Sequence, residues 1–322
     1  SKRLEVVPFD PERYPAQAEG ETPEDEHFLH DEATDTQAFI THNDKVILIS
    51  IRGSASTRDW LRDFDARQVP IVEGIGNAHR GFHDAFIAAK AFINSYLDRF
   101  HTNDQTIIVC GHSLGGSIAL LLADGIKRLP YAPKVILYTY GAPRAGDSIF
   151  VESAKDLVHH RIINNNDLVP SVPATWMDSE WKIVVPSIIM LLASLAPPIK
   201  ATSLLLAGLI NLKGDPYEHH GEQHYFMPRK HGGGSEASIL WQPGCRALEE
   251  GDCARFIANL SIEGDMAKRR SFFVQIASAP QHFSDSGYAR AALTTLLRWN
   301  ASLSREGQLF TKEETEQLRP QM

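Results

Sequence analysis

Two short β-branched runs enclose one apolar segment in the first half of the chain. Residues 105–110 and 134–140 are predicted to be buried strands, because continuous Val and Ile runs are typical of parallel sheets covered on both faces. Residues 116–129 between them are predicted to form a helix, which is apolar as far as Asp124. This alternation predicts an α/β fold with a mostly parallel central sheet and helices on both faces.

Further elements extend the alternation on either side. Residues 1–34 are polar and proline-containing, so they are predicted to be an extended leader. Hydrophobic spacing and turn residues place strands at 36–41, 45–51 and 160–163, and helices at 81–100, 148–157, 264–277 and 284–300.

The segment Gly111-His112-Ser113-Leu114-Gly115-Gly116 stands where a predicted buried strand meets its helix. A bare G-x-S-x-G occurs by chance in about one chain in ten of this length. A strand before it and a helix after it are the context that a nucleophile elbow requires. Glycines allow the sharp turn that holds the Ser113 hydroxyl clear of the sheet, at a helix N-terminus that favours negative charge. The sequence therefore predicts Ser113 as a nucleophile.

A serine nucleophile needs an acid and a base, which follow it along the chain in that order in this type of fold. Asp167 comes just after the strand predicted at 160–163 and a turn of three asparagines, which makes it the candidate acid. Asp147 is the rival, although its position also predicts the N-cap of the helix at 148–157. Composition alone does not choose the base among the later histidines, which are His219, His220, His224, His231 and His282.

Several motifs occur in the order of one known family. They are Ile49-Ser50-Ile51-Arg52-Gly53-Ser54, Asp59-Trp60-Leu61 with Asp65, His79-Arg80-Gly81-Phe82, the 111–116 segment, Tyr140-Gly141-Ala142-Pro143-Arg144-Ala145-Gly146-Asp147, and Asn164 with Asp167-Leu168-Val169-Pro170. Over these motifs, from about residue 36 to 173, the chain resembles the class 3 lipases, the family of the fungal triacylglycerol lipases, as a bacterial member. The resemblance implies an α/β-hydrolase fold and a serine carboxylic-ester hydrolase acting on acylglycerols or phospholipids.

The resemblance assigns the catalytic triad residue by residue. It matches Ser113 to the nucleophile and Asp167 to the acid. It matches His282, which aromatic residues follow, to the base. His219, in the segment Tyr217-Glu218-His219-His220-Gly221, is the alternative base. The expected chemistry is an acyl-enzyme formed as the base takes the serine proton, and then hydrolysed by water.

Two further residues are expected to stabilise the oxyanion. Ser54, just after Arg52-Gly53, is matched by the resemblance to the oxyanion-hole residue of the family. The elbow independently predicts that the N–H of Leu114 donates to the same oxygen, because it follows the nucleophile at the helix start.

Residues 56–66 are predicted to form a short amphipathic helix, with Trp60, Leu61 and Phe64 on one face. In class 3 lipases the segment after the oxyanion residue is a mobile lid, with an aromatic side chain where Trp60 stands. The resemblance therefore implies a lid that buries its apolar face when closed and offers it to lipid when open. The alternative is a fixed surface helix with a buried tryptophan.

An apolar stretch at 183–212 is the most unusual part of the chain. Its longest charge-free run, 183–199, has 17 residues and contains three prolines, whereas a membrane-spanning helix needs about 20 apolar residues. Two short helices hinged at Pro197-Pro198 fit this pattern better than a span. The hairpin is predicted either to dock on membranes or to form the core of an inserted subdomain.

The charge balance restricts the class of partner. The 322 residues include 32 basic and 40 acidic side chains, which give a net charge of −8. This balance argues against nonspecific electrostatic binding to nucleic acid. The cluster His219-His220-x-x-x-His224 lacks the H-E-x-x-H form, so no metal site and no cofactor are predicted. Cys245 and Cys253 are predicted either to pair or to remain free thiols, and the sequence does not choose between them.

The chain organisation follows from these assignments. Residues 35–322 are expected to form one hydrolase domain, with an insertion at 174–281 between the triad acid and the base. The expected partner is a lipid substrate at a membrane or lipid–water interface, and the expected location is outside the cell, although the sequence carries no signal peptide. The alternatives are a phospholipase A-type antibacterial effector, with an immunity or delivery protein as partner, and a non-catalytic lipid-binding module.

Overall fold

The structure, a computed structural model, divides into two compact units. The larger unit is drawn from residues 7–161 and 169–222, and the smaller from residues 1–6, 162–168 and 223–322. The residues that the structure describes are 27–52, 67–164, 167, 169–171, 217–228, 238–241, 282, 284–302, 311 and 313.

The larger unit contains a sheet in the order β1-β2-β3-β6-β7-β8 and a separate hairpin, β4-β5. Strands β3, β6 and β7 run parallel, while β1 and β2 add antiparallel strands at one edge. These strands are β1 (Phe28–Asp31), β2 (Thr36–His42), β3 (Val46–Arg52), β4 (Gln68–Pro70), β5 (Asn77–His79), β6 (Thr106–His112), β7 (Lys134–Tyr140) and the start of β8 (Val158–Asn164).

Parallel register aligns the carboxyl ends of the central strands. Arg52 of β3 lies opposite His112 of β6, which lies opposite Tyr140 of β7. The residues that follow these three positions therefore leave the sheet at the same edge. In open α/β sheets this edge is where functional groups collect.

In the part of the larger unit that the structure describes, the α-helices are α1 (Arg80–Phe100), α2 (Leu114–Lys127) and α3 (Ser148–Ser153). Helix α1 buries one face, which includes the periodic residues Phe82, Phe86, Ala89, Ile93 and Leu97. Helix α2 is buried at every position except Gly125 and Lys127. An apolar surface all round a helix is expected where it packs in the interior.

The smaller unit contains the end of β8, then β9 (Glu222–Pro228, from Gln223 onward) and β10 (Ser238–Trp241), which pair as antiparallel strands. A π-helical turn, Ser284–Ala289, leads into helix α4 (Arg290–Ser302). Tyr288, Ala291 and Leu297 are buried in these helices.

The strands predicted at 36–41, 45–51, 105–110, 134–140 and 160–163 are confirmed, with shifts of no more than two residues at their ends. The helices predicted at 81–100, 116–129 and 284–300 are confirmed, the last with a π-helical first turn. The helix predicted at 148–157 ends earlier, at Ser153. The end of the predicted leader forms β1, paired with β2. The helix predicted at 264–277 and most of the insertion at 174–281 lie outside the described residues.

Within the described ranges, no helix has both the length and the apolar character needed to cross a bilayer. The apolar stretch 183–212 lies outside those ranges, as do Cys245 and Cys253.

Candidate active site

Ser113 occupies a sharp turn between β6 and α2. Its backbone angles are φ 55° and ψ −128°, a region that non-glycine residues rarely adopt, and its side chain is 4% exposed. Such a conformation costs on the order of 1–3 kcal/mol and persists only where the surroundings impose it. This strained serine between strand and helix is the geometry of a nucleophile elbow.

Close backbone packing explains the glycines on both sides of Ser113. A Cβ at Gly111 would lie 2.3 Å from the carbonyl oxygen of Gly115, and one at Gly116 would lie 2.7 Å from the Cβ of Ala142. Any larger residue at these positions would push the strand and the helix apart. The two glycines therefore permit the turn that places Ser113 at the start of α2.

Main-chain hydrogen bonds hold the turn in place. The N–H of Ser113 donates to the carbonyl of Tyr140 at 2.9 Å, and the N–H of Gly116 donates to the carbonyl of Ser113 at 2.9 Å. The Ser113 side chain makes no capping hydrogen bond to α2. Its hydroxyl is therefore not consumed as a helix cap, which is the ordinary use of a serine at this position.

Asp167 and His282 form a buried pair in the smaller unit. The Nδ1 atom of His282 lies 2.8 Å from Oδ2 of Asp167, and the two residues are 5% and 3% exposed. A carboxylate accepts only, so Nδ1 of the neutral ring carries the proton and donates it. That tautomer leaves Nε2 of His282 as the basic nitrogen, as a general base requires.

Tyr288 is a third side chain that contacts this pair, and the sequence analysis did not predict it. Its hydroxyl donates to Oδ2 of Asp167 at 2.5 Å and accepts the N–H of Asn164 at 2.9 Å. One phenol thus links the carboxylate to the backbone of β8. The only signal in the sequence was the presence of aromatic residues after His282, which does not specify a contact with Asp167.

Asp147, the rival acid, is the N-cap of α3. Its Oδ1 accepts the N–H of Phe150 at 2.8 Å, and its Oδ2 accepts from the side-chain amide of Asn77 at 2.7 Å. Both carboxylate oxygens therefore accept hydrogen bonds that stabilise the local structure, and the predicted N-cap is confirmed.

His219, the alternative base, contacts the main chain. Its Nε2 lies 2.6 Å from the carbonyl oxygen of Pro170. Because a carbonyl oxygen only accepts, Nε2 carries a hydrogen and donates this hydrogen bond. Burial lowers the pKa of His219 well below its ordinary value, and the nearby Arg161 and Arg144 lower it further. His219 is thus held neutral, with Nε2 engaged.

Several residues predicted for the site lie outside the described residues. These are the oxyanion residue Ser54 and the three lid residues Trp60, Leu61 and Phe64. Leu114 is described: it is the first residue of α2 and is 6% exposed. The first N–H groups of a helix have no partner within the helix, so they are available to an anion.

Comparison with known proteins shows which family the central part of the chain resembles. Residues 48–177 match the family model described as lipase (class 3). The chain is 39% identical over 121 residues to the Toxin TseL of Vibrio cholerae, covering 37% of this chain and 19% of that protein. It is 34% identical over 154 residues to a lipase of Rhizomucor miehei, covering 43% of this chain and 41% of that protein.

Two further similarities extend the comparison. Over 190 residues the chain is 23% identical to Phospholipase A1-IIgamma of Arabidopsis thaliana, covering 50% of this chain and 45% of that protein. The solved structure of the Rhizomucor miehei triacylglyceride lipase superposes with a TM-score of 0.50 at 24% identity, covering 76% of this chain and 78% of that one. It shares the α/β-hydrolase fold.

The chain spans less than half of the length of the curated relatives that it matches here. The matched region nevertheless contains Ser113, the strands around it and the candidate acid Asp167. Over residues 48–177, which are less than half of the chain, the protein is therefore similar to the class 3 lipases.

Proposed function

We propose that this protein is a serine carboxylic-ester hydrolase that acts on lipids. The observation that carries the proposal is the strained backbone of Ser113 at the start of α2. A folded chain bears that cost where a function needs the side chain in place. The buried pair of Asp167 and His282 supplies the other two groups that a serine nucleophile requires.

The proposed reaction uses these residues in sequence. Nε2 of His282 takes the proton of the Ser113 hydroxyl as Oγ attacks the ester carbonyl, and then gives it to the leaving alcohol. Asp167 keeps the ring in the tautomer with Nδ1 protonated and stabilises the imidazolium. Water then attacks the acyl-enzyme with the same histidine as base, which releases the fatty acid.

We place the oxyanion hole at the N–H of Leu114 and at Ser54. The register of β3 and β6 supports this, because Arg52 lies opposite His112 and the two sites follow these residues by two positions each. Donors placed in this way would stabilise the tetrahedral intermediate.

Covalent labelling tests the catalytic proposal directly. A fluorophosphonate probe should label the wild-type protein and fail to label Ser113→Ala. Ser148→Ala is the matched control, because Ser148 is an exposed serine at the start of α3. Equal labelling of wild type and Ser113→Ala would remove Ser113 as nucleophile. Failure to label the wild type would favour a lipid-binding module without turnover.

The lid and the apolar stretch are proposed to bring the site to lipid. Trp60, Leu61 and Phe64 would form the lid face, and the hairpin at 183–212 would dock on membranes. Deleting 183–212 should spare cleavage of a short soluble ester and reduce attack on phospholipid vesicles. Equal loss on both substrates would instead indicate that the stretch is part of the core.

The substrate is proposed to be an acylglycerol or a phospholipid. The similarity to named lipases supports the first class, and the similarity to a named phospholipase A1 supports the second. A panel of triacylglycerol, phosphatidylethanolamine and phosphatidylglycerol, with identification of the acyl position released, separates these possibilities. Hydrolysis of none of them, with Ser113 still labelled, would exclude a lipase.

A second candidate is a secreted effector that attacks the membranes of rival bacteria. The 39% identity to the Toxin TseL favours it, and the partners would be an immunity and a delivery protein. Production of the wild-type chain in the bacterial periplasm should stop growth, whereas Ser113→Ala should not. Normal growth with active wild-type enzyme in that compartment would contradict the effector role.

A further inference from the structure

A chain of hydrogen bonds crosses the larger unit beside the elbow. It runs from Thr139 of β7 to His159 of β8, then to His220, and ends at the carbonyl of Ala154 after α3. The distances are 2.8 Å from Thr139 Oγ1 to His159 Nε2, 3.0 Å between the two Nδ1 atoms, and 2.9 Å from His220 Nε2 to the carbonyl oxygen. His159 and His220 are 5% and 6% exposed.

These contacts define one arrangement of protons when both rings are neutral. The carbonyl of Ala154 only accepts, so Nε2 of His220 carries a proton and its Nδ1 is an acceptor. Nδ1 of His159 must then carry the proton of the shared hydrogen bond. Nε2 of His159 is left as an acceptor for the Thr139 hydroxyl. All three contacts are satisfied with no charge on either ring.

Additional protons are costly in this arrangement. One added proton creates a buried imidazolium near Arg161 and places an N–H on Nε2 of His159, so the Thr139 hydroxyl has to turn away. A second added proton places two N–H groups face to face at 3.0 Å. The contacts are therefore stable while both rings are neutral and are lost when both rings are doubly protonated.

Burial is the largest influence on the pKa of His220 and lowers it. The Ala154 carbonyl and Asp124 of α2 raise this pKa, and Arg161 lowers it, with a net direction downward. Asp124 is itself paired with Arg128. The other ionisable groups close to the pair are His160 of β8, Glu218 and His219 beside His220, and Arg144 near His219.

Gly221 shows how closely the segment 217–221 packs on His159. Its φ is +93°, and a Cβ there would lie 2.4 Å from Nδ1 of the His159 ring. The rings of His159 and His220 lie edge to edge in nearly parallel planes, with an interplanar angle of 10° and centroids 5.2 Å apart. The contact leaves no space for a shifted ring, so a change of protonation has to be relieved by separation of the segment from β8.

We propose that His159 and His220 form a proton-sensitive clasp, which fastens segment 217–221 to β8 while both rings are neutral and releases it when they take up protons. The segment also carries His219, whose Nε2 donates to Pro170. Opening of the clasp therefore frees the turn Val169–Ser171 as well. The clasp does not depend on the proposed catalytic function.

The sign of the pH dependence follows from neutral rings in the folded state. Well above pH 6.5, the ordinary pKa of histidine, neither the folded nor the unfolded state binds an additional proton at these rings, and the clasp is fully effective. Below it the unfolded chain binds protons that the folded clasp excludes, so stability falls as the pH falls. The folding equilibrium constant should drop about tenfold per pH unit for each excluded proton.

Nuclear magnetic resonance of the wild-type chain with ¹⁵N-labelled histidines is the primary test. At pH 7.5 it should show His220 with its proton on Nε2, His159 with its proton on Nδ1, and scalar coupling between the two Nδ1 nuclei. A doubly protonated ring at pH 7.5, or the same tautomer in both rings, would contradict the proposed clasp. This measurement requires no variant and no enzymatic activity.

Unfolding of variants between pH 7.5 and 5.0 is the second test. His220→Gln retains a donor toward Ala154 and removes one excluded proton. The change in its folding equilibrium constant per pH unit should therefore be about tenfold smaller than that of wild type. His30→Gln, at a partly buried histidine of β1, is the control and should keep the wild-type slope. An unchanged slope in His220→Gln would contradict the proposal.

Discussion

Tyr288→Phe tests whether the phenol positions the acid of the proposed triad. The substitution keeps the ring and removes one oxygen, which makes two hydrogen bonds: one to the Asp167 carboxylate and one from the Asn164 N–H. A hydrogen bond to a charged group contributes about 1.5–3 kcal/mol, and a buried N–H left without a partner costs about 1–3 kcal/mol. Partial replacement by relaxation reduces the sum, so we expect a loss of about 2–4 kcal/mol in the free energy of unfolding.

The effect on turnover should be smaller than the effect on stability. His282 keeps its own hydrogen bond to Oδ2 of Asp167 at 2.8 Å, so the base retains its tautomer. The carboxylate loses one side-chain donor and is held less firmly. We expect kcat on a short soluble ester to fall about tenfold, which corresponds to about 1.4 kcal/mol, with KM unchanged.

Denaturant unfolding and steady-state hydrolysis at pH 7.5 measure the two effects. Tyr131→Phe is the matched control, since Tyr131 is 40% exposed and stacks on His101 at the surface. It should change stability by no more than about 0.5 kcal/mol, as surface substitutions do. If Tyr288→Phe behaved like this control in both assays, the positioning role of Tyr288 would be refuted.

Three further predictions follow from the site. His282→Gln should lose at least about 10⁴-fold in kcat, as removal of a triad base does. His219→Gln keeps a donor toward Pro170 and should lose no more than about tenfold in kcat. The reverse ranking in ester hydrolysis would make His219 the base. Asp147→Ala removes the cap on Phe150 and should cost about 1–2 kcal/mol in thermal unfolding while kcat stays within about twofold; a large loss of kcat without loss of stability would restore Asp147 as the acid. Burial raises the pKa of the Cys110 thiol, so iodoacetamide should modify it more slowly than free cysteine at pH 8.5, and equal rates would contradict its burial.

The elbow was the part of the site most completely predictable from sequence. Gly111, Ser113 and Gly116 are local in sequence, and the strand and helix around them have strong periodic signals. The structure adds the numerical reason: a Cβ at Gly111 would overlap the carbonyl oxygen of Gly115. Asp147 was likewise predictable as a cap, because its contact to Phe150 spans only three residues.

The partners of Asp167 were not predictable in the same way. His282 lies 115 residues further along the chain, and composition offered five later histidines with no local feature to separate them. Resemblance to the family selected His282, and the carboxylate contact is a tertiary observation. Tyr288 could not be assigned at all, since its hydroxyl meets Asp167 only because the π-helical turn Ser284–Ala289 presents it there.

The sequence by itself determined the α/β alternation, the position of the proposed nucleophile Ser113 and the class of chemistry that we propose. These depend on periodicity and on short-range sterics, which act between residues close in the chain. Only the tertiary structure decided that Asp167 meets His282 and Tyr288, that His219 is held on Pro170, and that His159 and His220 share a hydrogen bond. Such contacts depend on how segments distant in the sequence pack together, and the local sequence around each residue carries no signal for them.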